Sequence, residues 1–354
     1  MSLRKNNFSE IVFAFLSLVT FLSSSAVGAD SSYDGGQPAH PKDLKGKKIV
    51  LADVPKLIGI GYFAATTKGE AEAAMELTKN GLPTEVTTDA PTEAAIQKQI
   101  EYIDNDISRG MDGILFAAND PTAISPVLRK ALKAGVHVIG YDAESQPDAR
   151  EWFVQQATPE GIAKALIDSL VAEVGKEADI GIVTSSLTAP NQNAWIAEMK
   201  KYISGQGLKL NVVTILPSEE DQQQAFKVTG QILKAYPNVK GIIGLSSVAF
   251  PGAADAITQA NLIGKIAVTG LSTPNQMKPF VKSGCVKSVI LWNPVDLGYA
   301  AIYAMRAVVD GKLKPGDTEL DAGRLGKLKL INGSQFLLGP PFIFNQDNID
   351  KFDF

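Results

Sequence analysis

The run Gly113-Ile114-Leu115-Phe116-Ala117-Ala118-Asn119-Asp120-Pro121, followed by Val136-His137-Val138-Ile139-Gly140-Tyr141-Asp142, decides the fold. Each apolar run is too short for a helix, and Gly, Pro, Asn or Asp flank it, as in strands buried on both faces. The stretch that starts at Pro121 predicts a helix between them, so the segment is a strand–helix–strand unit with parallel strands. Outward from it the same alternation recurs. Ile49-Val50-Leu51 opens it, with helices expected over 64–79 and 92–108 and a strand over 84–88. Downstream, Ala163, Ile167, Leu170, Val171 and Val174 form one helical stripe, and strands are expected over 180–183, 212–216, 241–243 and 266–268. Helices are expected over 191–203 and around Ala225 to Leu233. The fold class is α/β. Its 354 residues exceed the roughly 250–300 at which a single core stops growing, so two similarly wound lobes are expected.

Before this alternation lie two stretches of other character. Arg4 and Lys5, the apolar run Ile11 to Leu22 and the small residues Val27-Gly28-Ala29 read as a secretory signal peptide over residues 1–29. The rival is a membrane anchor, but the run is shorter than the ~20 apolar residues a span prefers. Residues 30–46, polar and rich in Gly and Pro, read as a flexible leader. A periplasmic location follows. Cys285 is the sole cysteine, which excludes an intramolecular disulfide; a buried, inert thiol is expected there. The net charge is −4 and basic clusters are missing, which argues against a nucleic-acid partner.

In open parallel sheets the ligand lies outside the carboxyl ends of the strands. Those ends carry Asp53-Val54-Pro55-Lys56, Asn119-Asp120, Tyr141-Asp142, Ser185-Ser186, Ser246-Ser247 and Trp292-Asn293. Amides, hydroxyls and carboxylates that fix hydroxyl geometry, with aromatic faces for C–H groups, suit a neutral polyol. Groups for catalysis are few. His40 falls in the leader, and His137 opens a strand at the end away from the ligand, as a surface or edge histidine. A zinc site, a Gly-x-Gly-x-x-Gly turn and a phosphate-binding Gly-Lys-Ser/Thr loop are all missing from the sequence. Asp142 with Glu144 is the nearest approach to a glycosidase carboxylate pair. No enzyme activity, metal or cofactor is expected.

The chain resembles the periplasmic sugar-binding proteins of ABC transporters related to ribose-binding protein, within the branch of the rhamnose-binding and autoinducer-2-binding proteins. The resemblance covers residues 47–354 and rests on Pro55 to Phe63, Ala118 to Pro121, Asn191 to Trp195, Leu291 to Tyr299 and Asn348 to Phe352. It implies two Rossmann-like lobes joined by a three-segment hinge, one of 47–143 plus 271–292 and the other of 144–270 plus 293–354. The crossings would fall near Ala143, Gly270 and Asn293. It implies ligand contacts from Lys56 and Asp142, with Tyr62 and Phe63 beside the cleft, or in the core, and Asn191, Gln192 and Trp195 facing it from the second lobe. Asn119, Asp120, Ser246, Ser247 and Asn293 complete the candidate site. Asn191 stands where autoinducer-2 receptors have an acidic residue, and Leu245-Ser246-Ser247 where they have Pro-Asp-Ala. Exchanging a charged acceptor for an amide removes an interaction worth roughly 1.5–3 kcal/mol. A rhamnose-like deoxyhexose or related monosaccharide is therefore placed before autoinducer-2. The partner implied is an ABC transporter permease, or a sensor that reads the same closed form, and a monomer is expected. A sugar-responsive repressor shares the architecture, but would need a helix-turn-helix before residue 47, where the export signal lies.

Overall fold

The computed structural model describes residues 32–354; the expected signal peptide lies outside the described residues. The first lobe winds β1 (Ile49–Val54), α1 (Gly61–Lys79), β2 (Thr84–Thr88), α2 (Ile96–Arg109), β3 (Gly113–Phe116), α3 (Pro121–Lys133), β4 (His137–Tyr141) and β5 (Trp152–Gln155). The chain then crosses to the second lobe, α4 (Pro159–Val174), β6 (Glu177–Thr184), α5 (Pro190–Gly205), β7 (Lys209–Pro217), α6 (Gln222–Ala235), β8 (Val239–Gly244), α7 (Ala249–Gln259), β9 (Ala267–Gly270), α8 (Pro274–Lys282) and β10 (Val289–Leu291). It returns as α9 (Pro294–Val309), β11 (Glu319–Asp321), β12 (Lys327–Asn332) and β13 (Gln335–Leu337), and crosses once more to β14 (Phe342–Phe344).

The parallel strands run in the order β2-β1-β3-β4-β5 in one lobe and β7-β6-β8-β9 in the other, the same winding twice. At the margins β13 joins β5 in parallel and carries β12 and β11 as antiparallel neighbours, and β10 pairs antiparallel with β14. β3 and β4 are buried along their whole length, because helices cover both faces of the sheet.

This pairing corrects the segment assignment. The sheet claims β5 and β11–β13 for the first lobe, so residues 144–155 and 293–338 belong there rather than to the second. Residues 271–292 belong to the second lobe, since Leu271 bridges Ile290 and β10 pairs with β14. The sheet pairing puts the crossings near Gln155–Thr158, Leu291–Pro294 and Leu337–Phe342, rather than near Ala143 and Gly270. The part of the leader that is described also has a fixed course. Tyr33 Oη donates to the Gly36 and Glu151 carbonyls at 2.9 Å, and its ring packs edge-on to Trp152 at 5.0 Å. Gly36 and Ala39 donate backbone bonds to Arg150 and Leu132, and Lys42 pairs with Asp112 at 2.7 Å. One aromatic anchor and these bonds hold a segment whose composition alone reads as loose. His137 is buried rather than superficial, with Nδ1 3.0 Å from the Glu151 carboxylate. Cys285 is a buried free thiol beside Thr258 and the Ala254 carbonyl, and burial raises its pKa.

The returning helix α9 lies against α1 at a distance only glycine allows. A Cβ at Gly69 would stand 1.8 Å from the Val295 carbonyl oxygen, and one at Gly298 would stand 2.1 Å from that of Thr66. Gly298→Ala is expected to lower stability by about 1–3 kcal/mol in urea melts. Gly230→Ala, in α6 with open space around it, is expected to stabilise by about 0.5–1 kcal/mol. Equal effects would contradict the close helix contact.

Asp53, at the end of β1, and Glu70, on the inner face of α1, are both fully buried, and among the described residues neither has a basic partner. Tyr141 Oη donates to Asp53 at 2.9 Å, and the two carboxyls can satisfy each other only by sharing a proton. Burial pushes Asp53 up from 3.8 to about 7, and Glu70 goes up by burial and by its charged neighbour. Because the folded value is raised, the stabilising protonated form is complete below about pH 4 and is lost progressively as pH rises to about 7. The double variant Asp53→Asn/Glu70→Gln should gain in Tm relative to the wild type across that window. A constant difference from pH 4 to 8 would contradict the shared proton.

Candidate functional site

Both sheets direct the carboxyl ends of their strands at one interlobe cavity, the place the doubly wound topology provides. From the first lobe, Lys56 follows β1, Asp142 follows β4, and Tyr62 and Phe63 stand in the first turn of α1. From the second, Asn191, Gln192 and Trp195 come from the start of α5, and Ser246 and Ser247 follow β8. These candidates all line the cavity.

Asp142 is its centre. It is the middle residue of a tight turn in which Ala143 N–H donates to the Tyr141 carbonyl at 2.6 Å, and its φ of 58° is left-handed. Such a backbone is strained for a non-glycine residue and turns the carboxylate into the cleft. Tyr62 Oη donates to Asp142 Oδ1 at 2.9 Å, and Trp292 Nε1 donates to Tyr62 Oη at 3.0 Å. Lys56 Nζ lies 3.8 Å from Asp142 Oδ2, with both side chains about 95% buried. Burial outweighs this long ion pair, so the Asp142 carboxyl is raised although Lys56 and Tyr62 pull it down.

An aromatic chain crosses the cleft. Phe63 packs edge-on to Tyr62 at 5.1 Å, Tyr62 to Trp292 at 6.0 Å, and Trp292 lies 5.9 Å from Trp195. Gln192 has its Oε1 held by Thr184 Oγ1 at 2.6 Å and Ser185 N–H at 2.7 Å, which leaves its amide nitrogen for the cavity. Besides the Trp292–Tyr62 bond at 3.0 Å, the direct hydrogen bonds between the lobes at the cleft are long: Asn191 Nδ2 donates to the Asp142 carbonyl and Thr188 Oγ1 to the Asn119 carbonyl, both at 3.4 Å. The space the cavity offers to water is about 40 Å³, room for about three molecules.

Three candidates have other partners. Asn119 braces the loop below, donating to the Lys56 carbonyl at 2.9 Å and to Gln99 Oε1. Asp120 caps α3, accepting from Thr122 and Ala123 N–H at 2.9 Å; such a cap is worth about 0.5–2 kcal/mol. Asn119 and Asp120 line an outer recess of about 240 Å³ that shares Lys56 and Glu220 with the inner cavity. Asn293 caps α9 through Val295 N–H at 3.0 Å and lies outside the cavity. Glu144 is no partner for Asp142, because Arg150 holds it with Nη2 at 2.7 Å.

Two lining residues whose side chains carry polar atoms, Trp292 and Glu220, were missed. Trp292 stood among the strand ends without being chosen. Glu220 lies in the β7–α6 loop, whose polar run Ser218-Glu219-Glu220-Asp221 reads as solvated; its one signal is position, just past a strand's carboxyl end. Apolar Ile60, Leu245, Leu271 and Leu291 complete the wall.

Two wound lobes closing over a buried polar pocket define a hinged solute-binding protein. A family model described as a periplasmic binding protein domain matches residues 52–313, and the chain belongs to that family, the extracytoplasmic solute-binding proteins of sugar ABC transporters. These are substrate-binding transport proteins, for which the family implies a sugar ligand and an ABC permease. The chain is 26% identical to the D-ribose/D-allose-binding protein of Pseudomonas aeruginosa, over 75% of this chain and 80% of that one. It is 30% identical to a solute-binding protein of Clostridium phytofermentas solved with bound L-rhamnose, covering 86% of this chain and 98% of that one, with a TM-score of 0.80. LsrB of Clostridium saccharobutylicum in complex with AI-2 is 25% identical over 86% of this chain and 100% of its own, with a TM-score of 0.81. Among the described residues no helix is long and apolar enough to cross a membrane.

Tyr62→Phe removes the hydroxyl that joins Trp292 to Asp142 and leaves both buried groups a partner short. It is expected to lower stability by about 1–3 kcal/mol in urea melts, and an unchanged melt would contradict the bridge.

Proposed function

We propose that this chain captures a neutral monosaccharide, a rhamnose-like deoxyhexose first, in the interlobe cavity and delivers it to the permease of an ABC transporter. In this proposal residues 1–29 direct export and are removed, and the protein acts as a monomer. The observation that carries it is the composition of one cavity, in which a buried Lys56–Asp142 pair, amides and hydroxyls share the wall with aromatic and aliphatic side chains. Polar groups of both signs of hydrogen bonding suit ring hydroxyls, while Ile60, Leu245, Leu271 and Leu291 suit the methyl of a deoxysugar.

Sugar enters while the lobes are apart. Asp142 and Lys56 hold hydroxyls from the first lobe, with Asn191, Gln192 and Ser247 opposite. Closure expels water, which strengthens each polar contact. The closed form gains only through contacts the open one lacks; apart from Trp292–Tyr62 the direct bonds between the lobes are long, so the ligand is the main source of polar contacts to Lys56, Asp142 and Gln192. The permease then reads the closed surface. Autoinducer-2 is the second proposal, favoured by the Lys56–Asp142 pair and by the likeness to the AI-2 complex; Asn191, in place of a carboxylate, ranks it second.

A thermal-shift panel of L-rhamnose, D-ribose, D-allose and autoinducer-2 tests this. L-rhamnose is expected to give the largest rise in Tm, since a ligand at a hundredfold its Kd adds about 2.7 kcal/mol. Asp142→Ala should fold and lose that rise. A shift with autoinducer-2 alone would support the second proposal, and no shift with any sugar would contradict the first.

A further inference from the structure

We infer that Glu220 and Trp195 form a hydroxyl-reading wall on the second lobe, which requires a ligand with a free hydroxyl at that position and rejects anionic sugars. The inference deepens the sugar-binding proposal and rests on it. Among the described residues, two cavity-lining side chains carry a buried polar atom without a hydrogen-bond partner: Glu220 Oε2, an acceptor, and Trp195 Nε1, a donor. A buried polar group left without a partner is costly, so such groups are rare and call for a reason. Here the two are complementary in kind, and both border the same enclosed space. A hydroxyl both donates and accepts, and so serves either group; a methyl serves neither, and a carboxylate or phosphate cannot donate to Glu220.

The backbone supports this. Glu219 and Glu220 have consecutive left-handed φ values of 52° and 55°, a conformation unfavourable for non-glycine residues. The loop is fixed from both sides: Ser218 and Glu219 N–H donate to the Thr184 and Ser185 carbonyls at 2.8 and 2.6 Å, and Asp221 caps α6 through Gln224 N–H at 2.6 Å. Structure built around a strained backbone thus places a buried acid against the cleft. Charge adds the second half of the selectivity. Two buried carboxyl groups, Asp142 and Glu220, face one ammonium, Lys56, so a third acid brought in by a uronate or a sugar phosphate meets no free cation. Burial raises the Glu220 carboxyl, while Lys56 and the Ser246 and Ser185 hydroxyls oppose the rise.

The test is isothermal titration of wild type, Glu220→Gln, Glu220→Gly and Trp195→Phe with L-rhamnose, D-ribose, D-allose, autoinducer-2 and D-galacturonate, with Tm measured without ligand. Wild type is expected to bind a neutral sugar and not galacturonate. The two Glu220 variants should lose about 10- to 100-fold in affinity for that sugar, and Trp195→Phe up to about tenfold. Glu220→Gly should keep or raise the ligand-free Tm, because it relieves the left-handed strain and removes a buried oxygen that has no partner. Unchanged affinity in both Glu220 variants, or galacturonate binding as tightly as the neutral sugar, would overturn the inference while leaving the sugar-binding proposal intact. A Glu220→Gly protein of lower Tm with affinity intact would make the residue structural and overturn it. A wild type that binds none of the panel would overturn both.

Discussion

The structure depends on one electrostatic arrangement: Lys56, Asp142 and Glu220 meet in a space almost closed to water, with fewer partners than they need. Charged groups held this way are expensive, and the raised carboxyls of Asp142 and Glu220 show burial winning over the single ammonium. The direct bonds between the lobes at the cleft, Trp292 Nε1 to Tyr62 Oη at 3.0 Å and two at 3.4 Å, reach neither the Lys56 ammonium nor the Glu220 carboxyl. In the proposed mechanism a ligand supplies the absent partners and tips the balance towards closure. In this view affinity and closing are the same event.

Everything else in the fold holds those groups in position. Both sheets wind in the same order, so both sets of strand ends reach the cleft. Strained turns at Asp142 and Glu219–Glu220 aim the two acids, and each turn is fixed by short backbone bonds at its base. Trp292 stands at the crossing between the lobes and is tied to Tyr62, so a hinge segment shares a hydrogen-bond chain with Asp142. The glycine-mediated contact of α9 with α1 anchors the returning chain behind the aromatic residues of the site.

Much of this was legible in the sequence because it is local. Short apolar runs with Gly, Pro or Asp at their ends identify parallel strands, and the residues just beyond them include Lys56, Asp142, Ser246, Ser247 and Trp292 of the cavity wall, while Tyr62, Phe63, Asn191, Gln192 and Trp195 came from the family resemblance. Lobe membership was not legible. That β5 belongs to the first sheet is settled by its pairing with β4 and β13, and Phe336 lies far along the chain from Val154, its register partner. Asp120 and Asn293 carry side chains of the kind that hold sugar hydroxyls, and the fold also uses them as caps: Asp120 Oδ1 on the first turn of α3 and Asn293 Oδ1 on that of α9. Glu220 was hidden as an acid in a polar loop that the fold turns inward. Tyr33 shows that one aromatic residue can fix a leader whose composition suggests freedom.

A crystal structure of the protein grown with L-rhamnose tests the central claim most directly. The account predicts one sugar ring between the lobes, in hydrogen-bond contact with Asp142 on one side and with Gln192 and Glu220 on the other. A ring bound elsewhere, or a cleft that stays shut and empty in a protein saturated with the sugar, would contradict it.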